Sequence, residues 1–261
     1  MTATPSSLAD ASIAELRAIH DRLADEVAAL DPESLTAQSG ADDWTVADVL
    51  SHLGSGAEIG RYPLVAGAGA PEEAPDNQQV WDRWNALPPP EQAAAFVESD
   101  ERLVATYEGL SPEQRRSIEV DLGFMPQPLP LVTTLGMRLN EAVLHGWDVE
   151  VGLDPAATLS ETSAALLAEH LSSTMTFFLG FAGKPEGVGP ARVGVGGYTI
   201  VIDEAVRLEA GDEDTTATFH GPLEAAVRLL AGRLKPAYTP EGVAVTGDVS
   251  LDDLRKVFAG Y

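Results

Sequence analysis

The segment LNEAVLHGWDVE, residues 139–150, carries three polar side chains that a helix would place on one face. Glu141 and His145 are four residues apart and Asp148 follows three later, which is the spacing of neighbours on a helix surface. Helical proteins build metal sites from carboxylate and imidazole pairs one turn apart, although an ordinary hydrogen-bonded pair has the same spacing. Asp148 is an alternative ligand, a hydrogen-bond acceptor for a ligand, or a helix-end group.

A second histidine lies among apolar residues in the segment WTVADVLSHL, residues 44–53. An imidazole turned toward the interior must find polar partners. His52 together with Glu141 and His145 would supply two nitrogens and one oxygen, the ligand set of one class of catalytic zinc centre with an open fourth position. Ligand type alone also admits nickel, cobalt or iron.

The other three histidines are predicted to have no part in such a site. His20 is flanked by Asp21 and Arg22, which indicates a solvated helix face. His170 lies in a helix rich in small residues, and His220 ends a strand. Each is expected to be a surface residue or to have its polar atoms satisfied.

The composition excludes several kinds of chemistry. The 261 residues include no cysteine, so disulfides, cysteine nucleophiles and thiolate metal ligands are ruled out, and a reacting thiol must come from another molecule. The net charge of −25 disfavours nucleic acid and anionic lipid as partners. No apolar run reaches membrane-spanning length and no secretory signal precedes residue 12, so we expect a cytoplasmic protein without membrane association.

Four long helices are predicted in the first half of the chain, at residues 7–30, 46–65, 91–110 and 131–151, with a shorter one at 77–87. Thr45 and Asp48 have the spacing of a capping box at the start of the second. Gly152 and Pro155 are expected to end the last. Four amphipathic helices with short or medium loops predict a four-helix bundle.

The second half has a different pattern. A helix is predicted at residues 160–181, followed by strands of an antiparallel sheet at 191–195, 198–202, 206–210, 216–220 and 243–247. Further helices are expected at 221–234 and 251–258. The fold class is therefore α+β with two domains, at residues 1–155 and 156–261.

The two motifs WTVADVLSHL and NEAVLHGWDV together resemble the mycothiol-dependent maleylpyruvate isomerase family. The resemblance implies a DinB-like metal-binding four-helix bundle followed by a smaller α+β domain of the sterol-carrier type. It implies that His52, Glu141 and His145 are the metal ligands. It also implies an arginine of the second domain at the substrate site. Arg233 in LLAGRL matches best, and Arg228 is the alternative. Arg233 could equally be a solvated arginine at a helix end.

The resemblance further implies the cofactors and the reaction. The thiol would come from mycothiol and zinc is the expected metal, since coordination to a divalent cation deprotonates a thiol. The thiolate would add to the cis double bond of a small electrophile, the C–C bond would rotate, and elimination would give the trans isomer, with Arg233 holding a substrate carboxylate.

The alternatives are a mycothiol S-transferase acting on electrophiles and a non-catalytic protein that binds a small molecule or lipid. A bundle that has lost its metal site is disfavoured, because all three ligands are present. The negative charge of the chain disfavours a dianionic substrate unless the pocket is locally positive. A monomer and a homodimer are both compatible with the sequence.

Overall fold

The computed structural model describes residues 5–260, and the chain forms two compact units, Met1–Ala157 and Thr158–Tyr261. The first unit is helical apart from one short hairpin. Its elements are α1 (Pro5–Ala29), α2 (Pro32–Leu35), α3 (Val46–Gly67), α4 (Asn77–Asn85), α5 (Pro89–Glu108), α6 (Pro112–Ser117), β1 (Glu119–Val120), β2 (Leu129–Pro130) and α7 (Leu131–Leu153). Within the described residues, no helix is both long and apolar enough to cross a membrane.

The four long helices of this unit, α1, α3, α5 and α7, are those that the apolar periodicity predicts. Helix α3 packs against α5 and α7, and α1 packs against the same two helices. Their facing sides bury large apolar residues such as Leu23, Leu50, Phe96, Leu103 and Leu139. This packing aligns α3 beside α7, the two helices that carry His52 and the Glu141–His145 pair.

Helix α3 begins at the predicted capping box. The Thr45 side chain accepts a hydrogen bond from the backbone of Asp48, and the Asp48 carboxylate accepts one from the backbone of Thr45. Such reciprocal bonds satisfy two of the amides that a helix start leaves without partners. The cap sets where α3 starts and therefore where His52, two turns later, lies along it.

The predicted end of α7 at Gly152 is wrong, because the helix continues through that residue to Leu153. The glycine is needed for space. A Cβ atom on Gly152 would lie 2.8 Å from the carbonyl oxygen of Gln38 and 3.1 Å from Cα of Ser39. Gly152 therefore lets the loop between α2 and α3 approach α7 closely.

The second unit combines helices with one five-stranded sheet. Its elements are α8 (Glu161–Ser172), α9 (Phe178–Ala182), β3 (Ala191–Val195), β4 (Tyr198–Ile202), β5 (Val206–Ala210), β6 (Ala217–His220), α10 (Leu223–Leu230), a 3-10 turn (Pro236–Tyr238), β7 (Ala244–Gly247) and α11 (Leu251–Val257). The strand order is β5-β4-β3-β6-β7. Helices α8 and α10 pack against each other, and α8 and α9 lie against β5.

The sheet is mixed, which corrects the prediction of an antiparallel one. Strands β3 and β6 pair in parallel, with Val193 opposite Ala217, while the other neighbouring pairs are antiparallel. The segment 211–216 carries the chain from the β5 edge to the far side of β3, and this crossover makes β6 run with β3. Period-2 patterning indicates a strand but carries no information on its direction.

The predicted helix at 160–181 is two helices, α8 and α9, separated at residues 173–177. The hydroxyl of Ser172 donates to the backbone oxygen of Ala168, and that of Ser173 to the backbone oxygen of Glu169. Serine hydroxyls that bond backbone carbonyls compete with helix geometry. The Met175 amide then returns to the His170 carbonyl, and the Met175 side chain is buried.

Candidate metal centre

Three side chains of the first unit converge between α3 and α7. One ligand atom from each of His52, Glu141 and His145 lies within 4.8 Å of the other two. His52 Nε2 is 3.0 Å and His145 Nε2 is 3.7 Å from the same Glu141 oxygen, Oε2. The predicted constellation is therefore assembled from two helices, with two nitrogens directed at one carboxylate.

Asp148 orients one of the two imidazoles. Its Oδ2 lies 2.9 Å from His145 Nδ1, and the carboxylate is fully buried. A carboxylate at this position favours the tautomer with the proton on Nδ1, which leaves the lone pair of Nε2 for a metal. Asp148 thus has the supporting place that the sequence allowed for it, and is not among the three converging ligands.

The loop between α2 and α3 covers Asp148. The amide of Gly40 donates to the backbone oxygen of Asp148 at 2.8 Å, and a Cβ on Gly40 would lie 2.9 Å from Asp148 Oδ1 and 2.6 Å from a methyl of Val151. Only a residue without a side chain fits there. Ser39 braces the loop by donating through its hydroxyl to the backbone oxygen of Trp44.

The same loop places the indole of Trp44 against both histidine rings. The indole is nearly parallel to the His145 ring, at 25° and 5.9 Å between centroids, and is tilted against His52 at 5.1 Å. The two imidazoles meet edge to face at 4.7 Å. Aromatic contacts of this geometry restrict ring rotation, so Trp44 limits the orientations of the two candidate ligands.

Glu141 is held in its charged form. Burial raises the pKa of its carboxyl, but the hydrogen bond with His52 and the nearby charges of His145, His52 and Arg138 outweigh burial and bring the pKa down to about 2. A carboxylate that is ionised throughout the physiological range is ready to bind a cation.

The donor set fits a divalent metal. Two imidazole nitrogens and one carboxylate oxygen are the ligands of an established class of catalytic zinc centre. The side chains of His52 and Glu141 are 39% and 38% exposed, so a fourth ligand can approach. These residues would hold the ion, with Asp148 fixing one of them.

The structure contradicts the prediction that His20 lies on a solvated face. His20 is buried, and its Nδ1 lies 2.9 Å from the carboxylate of Asp100 on α5. Arg138 of α7 donates to the other oxygen of Asp100 at 2.6 Å. The apolar spacing of Leu16 and Leu23 around His20 is a signal that the residue belongs to the buried face.

The two candidate arginines of the second unit are both buried, so the reading of Arg233 as a solvated helix-end residue is wrong. Arg228 pairs with Glu224 and donates to the backbone oxygen of Tyr238. Arg233 lies beyond α10, after a left-handed Gly232, and donates to the backbone oxygen of Ala231. Arg228 is thus committed to an internal ion pair.

The remaining two histidines have partners, as predicted. His170 is fully buried, its Nδ1 lies 2.8 Å from the Thr174 hydroxyl, and burial lowers its pKa to about 4. His220 is exposed at the end of β6, and its Nε2 lies 2.8 Å from the Thr246 hydroxyl.

The first unit is thus a helical protein domain with a two-histidine, one-glutamate candidate metal centre. The family model for the mycothiol maleylpyruvate isomerase N-terminal domain matches residues 16–150, just over half of the chain. The chain therefore belongs to that family, and it is an enzyme. The predicted resemblance is confirmed.

Two solved structures share the fold over nearly the whole chain. The mycothiol-dependent maleylpyruvate isomerase superposes with a TM-score of 0.61 at 20% identity, and its H52A mutant with a TM-score of 0.63 at 17% identity. Each comparison covers 92% of this chain and 94% of the other. A comparison with curated protein sequences gave no match.

Proposed function

We propose that this enzyme is a metal- and mycothiol-dependent isomerase of the maleylpyruvate type. The observation that carries the proposal is the convergence of the candidate ligand atoms of His52, Glu141 and His145 within 4.8 Å. Zinc is the proposed metal, because it combines readily with imidazole and carboxylate ligands and accepts an open fourth position. When bound, such an ion lowers the pKa of a thiol that reaches the open position.

The residues of the chain would bind and orient the reactants. Asp148 keeps the His145 proton on Nδ1, and Trp44 restricts both imidazole rings. Glu141 supplies negative charge to the centre without taking up a proton at neutral pH. Arg233 is the proposed contact for a substrate carboxylate, since a guanidinium matches the geometry of that group.

The proposed reaction leaves the atoms of the substrate unchanged in number. When bound, mycothiol would supply a thiolate for addition to one carbon of the activated cis double bond, with the electron pair moving toward the neighbouring carbonyl. Rotation about the resulting C–C single bond and elimination of the thiolate would then leave the trans isomer.

The architecture of the two units supports the rest of the proposal. The pairwise packing of α1, α3, α5 and α7 supports a DinB-like four-helix bundle for residues 1–155. The mixed sheet with its helices supports a sterol-carrier-like α+β domain for residues 156–261. The proposed location is the cytoplasm, where low-molecular-weight thiols are kept reduced.

The metal is tested by elemental analysis of gently purified protein. We expect about one zinc per chain, and we expect His52→Ala and His145→Ala each to lose it. His220→Ala is the matched control, because His220 is an exposed histidine of the second unit and should leave the metal content unchanged. A wild-type chain that holds no metal and takes up none from added zinc would overturn the proposal.

The reaction is tested by following maleylpyruvate with the zinc-loaded enzyme in the presence and absence of mycothiol. We expect the trans isomer to form only when the thiol is present. Turnover without any thiol would contradict the role proposed for mycothiol. Accumulation of a stable thioether would assign the enzyme as an S-transferase.

A further inference from the structure

Arg138 is a buried cation one turn before Glu141 that the metal centre does not explain. Its Nη2 donates to Asp100 at 2.6 Å and to the backbone oxygen of Leu53 at 3.3 Å. Among the described residues these are the hydrogen bonds of its guanidinium, and the buried Nε has no acceptor. A guanidinium carries five N–H donors, so most of its hydrogen-bonding capacity remains available.

The second terminal nitrogen, Nη1, points toward the face of α3 that carries His52. A Cβ atom on Gly56, one turn after His52, would lie 3.6 Å from Arg138 Nη1 and, apart from neighbouring residues and its own helix backbone, within 4 Å of no other atom. A Cβ on Gly60, one further turn along, would likewise meet nothing within 4 Å. Gly56 therefore leaves open space beside Arg138 Nη1, and Gly60 leaves open space one turn further along α3.

Arg138 is held firmly in this place. Asp100 uses one carboxylate oxygen for Arg138 and the other for His20, and the hydrogen bond with Asp100 raises the pKa of His20. Burial raises the pKa of Asp100, but the charge of Arg138 and the bond with His20 outweigh it and lower the pKa. The carboxylate is thus shared between Arg138 and His20 and does not pair with Arg138 alone.

We propose that Arg138 binds a carboxylate of the electrophilic substrate through Nη1, in the open space that Gly56 leaves one turn along α3 from His52. This inference deepens the proposed function and rests on it. It also answers a difficulty raised by the net charge of −25. An anionic substrate is attracted locally by a cation whose side chain is only 10% exposed, where charge pairing is stronger than in water.

The test uses maleate, a dicarboxylate with a cis double bond, and its neutral dimethyl ester as probes. Binding of each to the zinc-loaded full chain with mycothiol present is measured by calorimetry. Arg138→Met is made together with Asp100→Asn, so that no buried carboxylate is left unpaired, and is compared with Asp100→Asn alone. A charge-assisted hydrogen bond predicts that the double variant binds maleate roughly 10- to 100-fold more weakly than the single variant.

The ester separates charge recognition from a general change in the shape of the site, and its affinity should be the same in the two variants. Arg138→Lys, made in the native background, provides a second measurement if the Asp100 variants do not fold. A lysine keeps the charge beside Asp100 but lacks the second nitrogen, so we expect weaker maleate binding with unchanged zinc content.

Three results would overturn the inference: equal maleate affinity in both variants with Arg138→Lys like the wild type, no maleate binding by the wild type, or an equal loss of ester binding. Each is distinguishable from failure of the proposed function. Zinc content and mycothiol-dependent turnover are measured on the same wild-type preparation, and they can stand while the role of Arg138 fails.

Discussion

Two histidine–carboxylate clusters lie in the helical unit, and they differ mainly in burial. In the first, His52 faces Glu141 at 3.0 Å and both side chains are more than a third exposed. In the second, His20 faces Asp100 at 2.9 Å and both are nearly inaccessible. A histidine–carboxylate pair with nearly the same N–O distance therefore lies in one case at an open site and in the other inside a packed interface.

The partners explain what each cluster can do. Asp100 is flanked by His20 and Arg138, so its charge is already compensated within the protein. Glu141 contacts two imidazoles, and among the described residues no lysine or arginine forms an ion pair with it. Its side chain is 38% exposed, so a ligand can approach. A buried, internally compensated cluster stabilises one arrangement of helices, whereas a half-exposed cluster of converging lone pairs is suited to bind a cation.

The largest difference between the two clusters is expected when one negative charge is removed from each by the same chemical change. Asp100→Asn leaves the guanidinium of Arg138 without its carboxylate partner, while His20 keeps Glu101 at 3.1 Å, and we expect it to reduce the free energy of unfolding by roughly 3–5 kcal/mol. Glu141→Gln should cost less than about 1 kcal/mol in the metal-free protein, because its site is open to water. Urea unfolding monitored by circular dichroism measures both.

The two variants should differ in the opposite order when their zinc content is measured. Asp100→Asn is expected to retain zinc, and Glu141→Gln to lose it, because a neutral amide is a poor replacement for a carboxylate ligand. Equal losses of stability in the two metal-free variants would show that burial does not determine how much each carboxylate contributes to stability.

The sequence indicated the first cluster and did not indicate the second. Glu141 precedes His145 by one turn, so local spacing predicts that pair. The addition of His52, 89 residues before Glu141, rested on its apolar neighbours and on the resemblance of the two motifs to a known family. His20 and Asp100 are 80 residues apart, and their contact depends on how α1 packs on α5. Tertiary pairing also decided the parallel alignment of β3 and β6, which strand patterning could not show.

A second prediction concerns Asp148, whose carboxylate orients the His145 ring of the half-exposed cluster. Asp148→Asn keeps the shape of the side chain but removes the charge that holds the His145 proton on Nδ1. We expect zinc affinity to fall 10- to 100-fold, as for other carboxylates that bond a metal-binding histidine. Competition with a chromophoric chelator measures the affinity, and Asp154→Asn, at the end of the same helix, is the control that should leave it unchanged. If Asp148→Asn binds zinc as tightly as the wild type, Asp148 has no role in the metal centre.

A third prediction concerns how the stability contribution of the buried cluster, His20 with Asp100, depends on pH. The hydrogen bond with Asp100 raises the pKa of His20 above its unfolded value, so its contribution to stability is complete below about pH 6.5 and is lost as the pH rises through the folded-state pKa. The metal-free protein should therefore lose stability as the pH is raised above about 6.5. His20→Gln should flatten that slope, and His220→Gln should preserve it. If His20→Gln leaves the dependence of stability on pH unchanged, a group other than His20 causes that dependence.

The smallest effect is expected at Trp44, the loop residue that packs against both imidazoles of the half-exposed cluster. Trp44→Phe keeps an aromatic face against both imidazoles, while Trp44→Ala removes it. Because an aromatic pair contributes about 0.5–1.5 kcal/mol, we expect a several-fold loss of zinc affinity in the alanine variant and a smaller loss in the phenylalanine variant. Cobalt binding should also quench indole emission in the wild type and much less in Trp44→Phe, because the centroid of Trp44 lies 5.1 Å from that of His52. Equal quenching in both proteins would mean that the metal binds away from this indole, and the open cluster would then not be the metal centre.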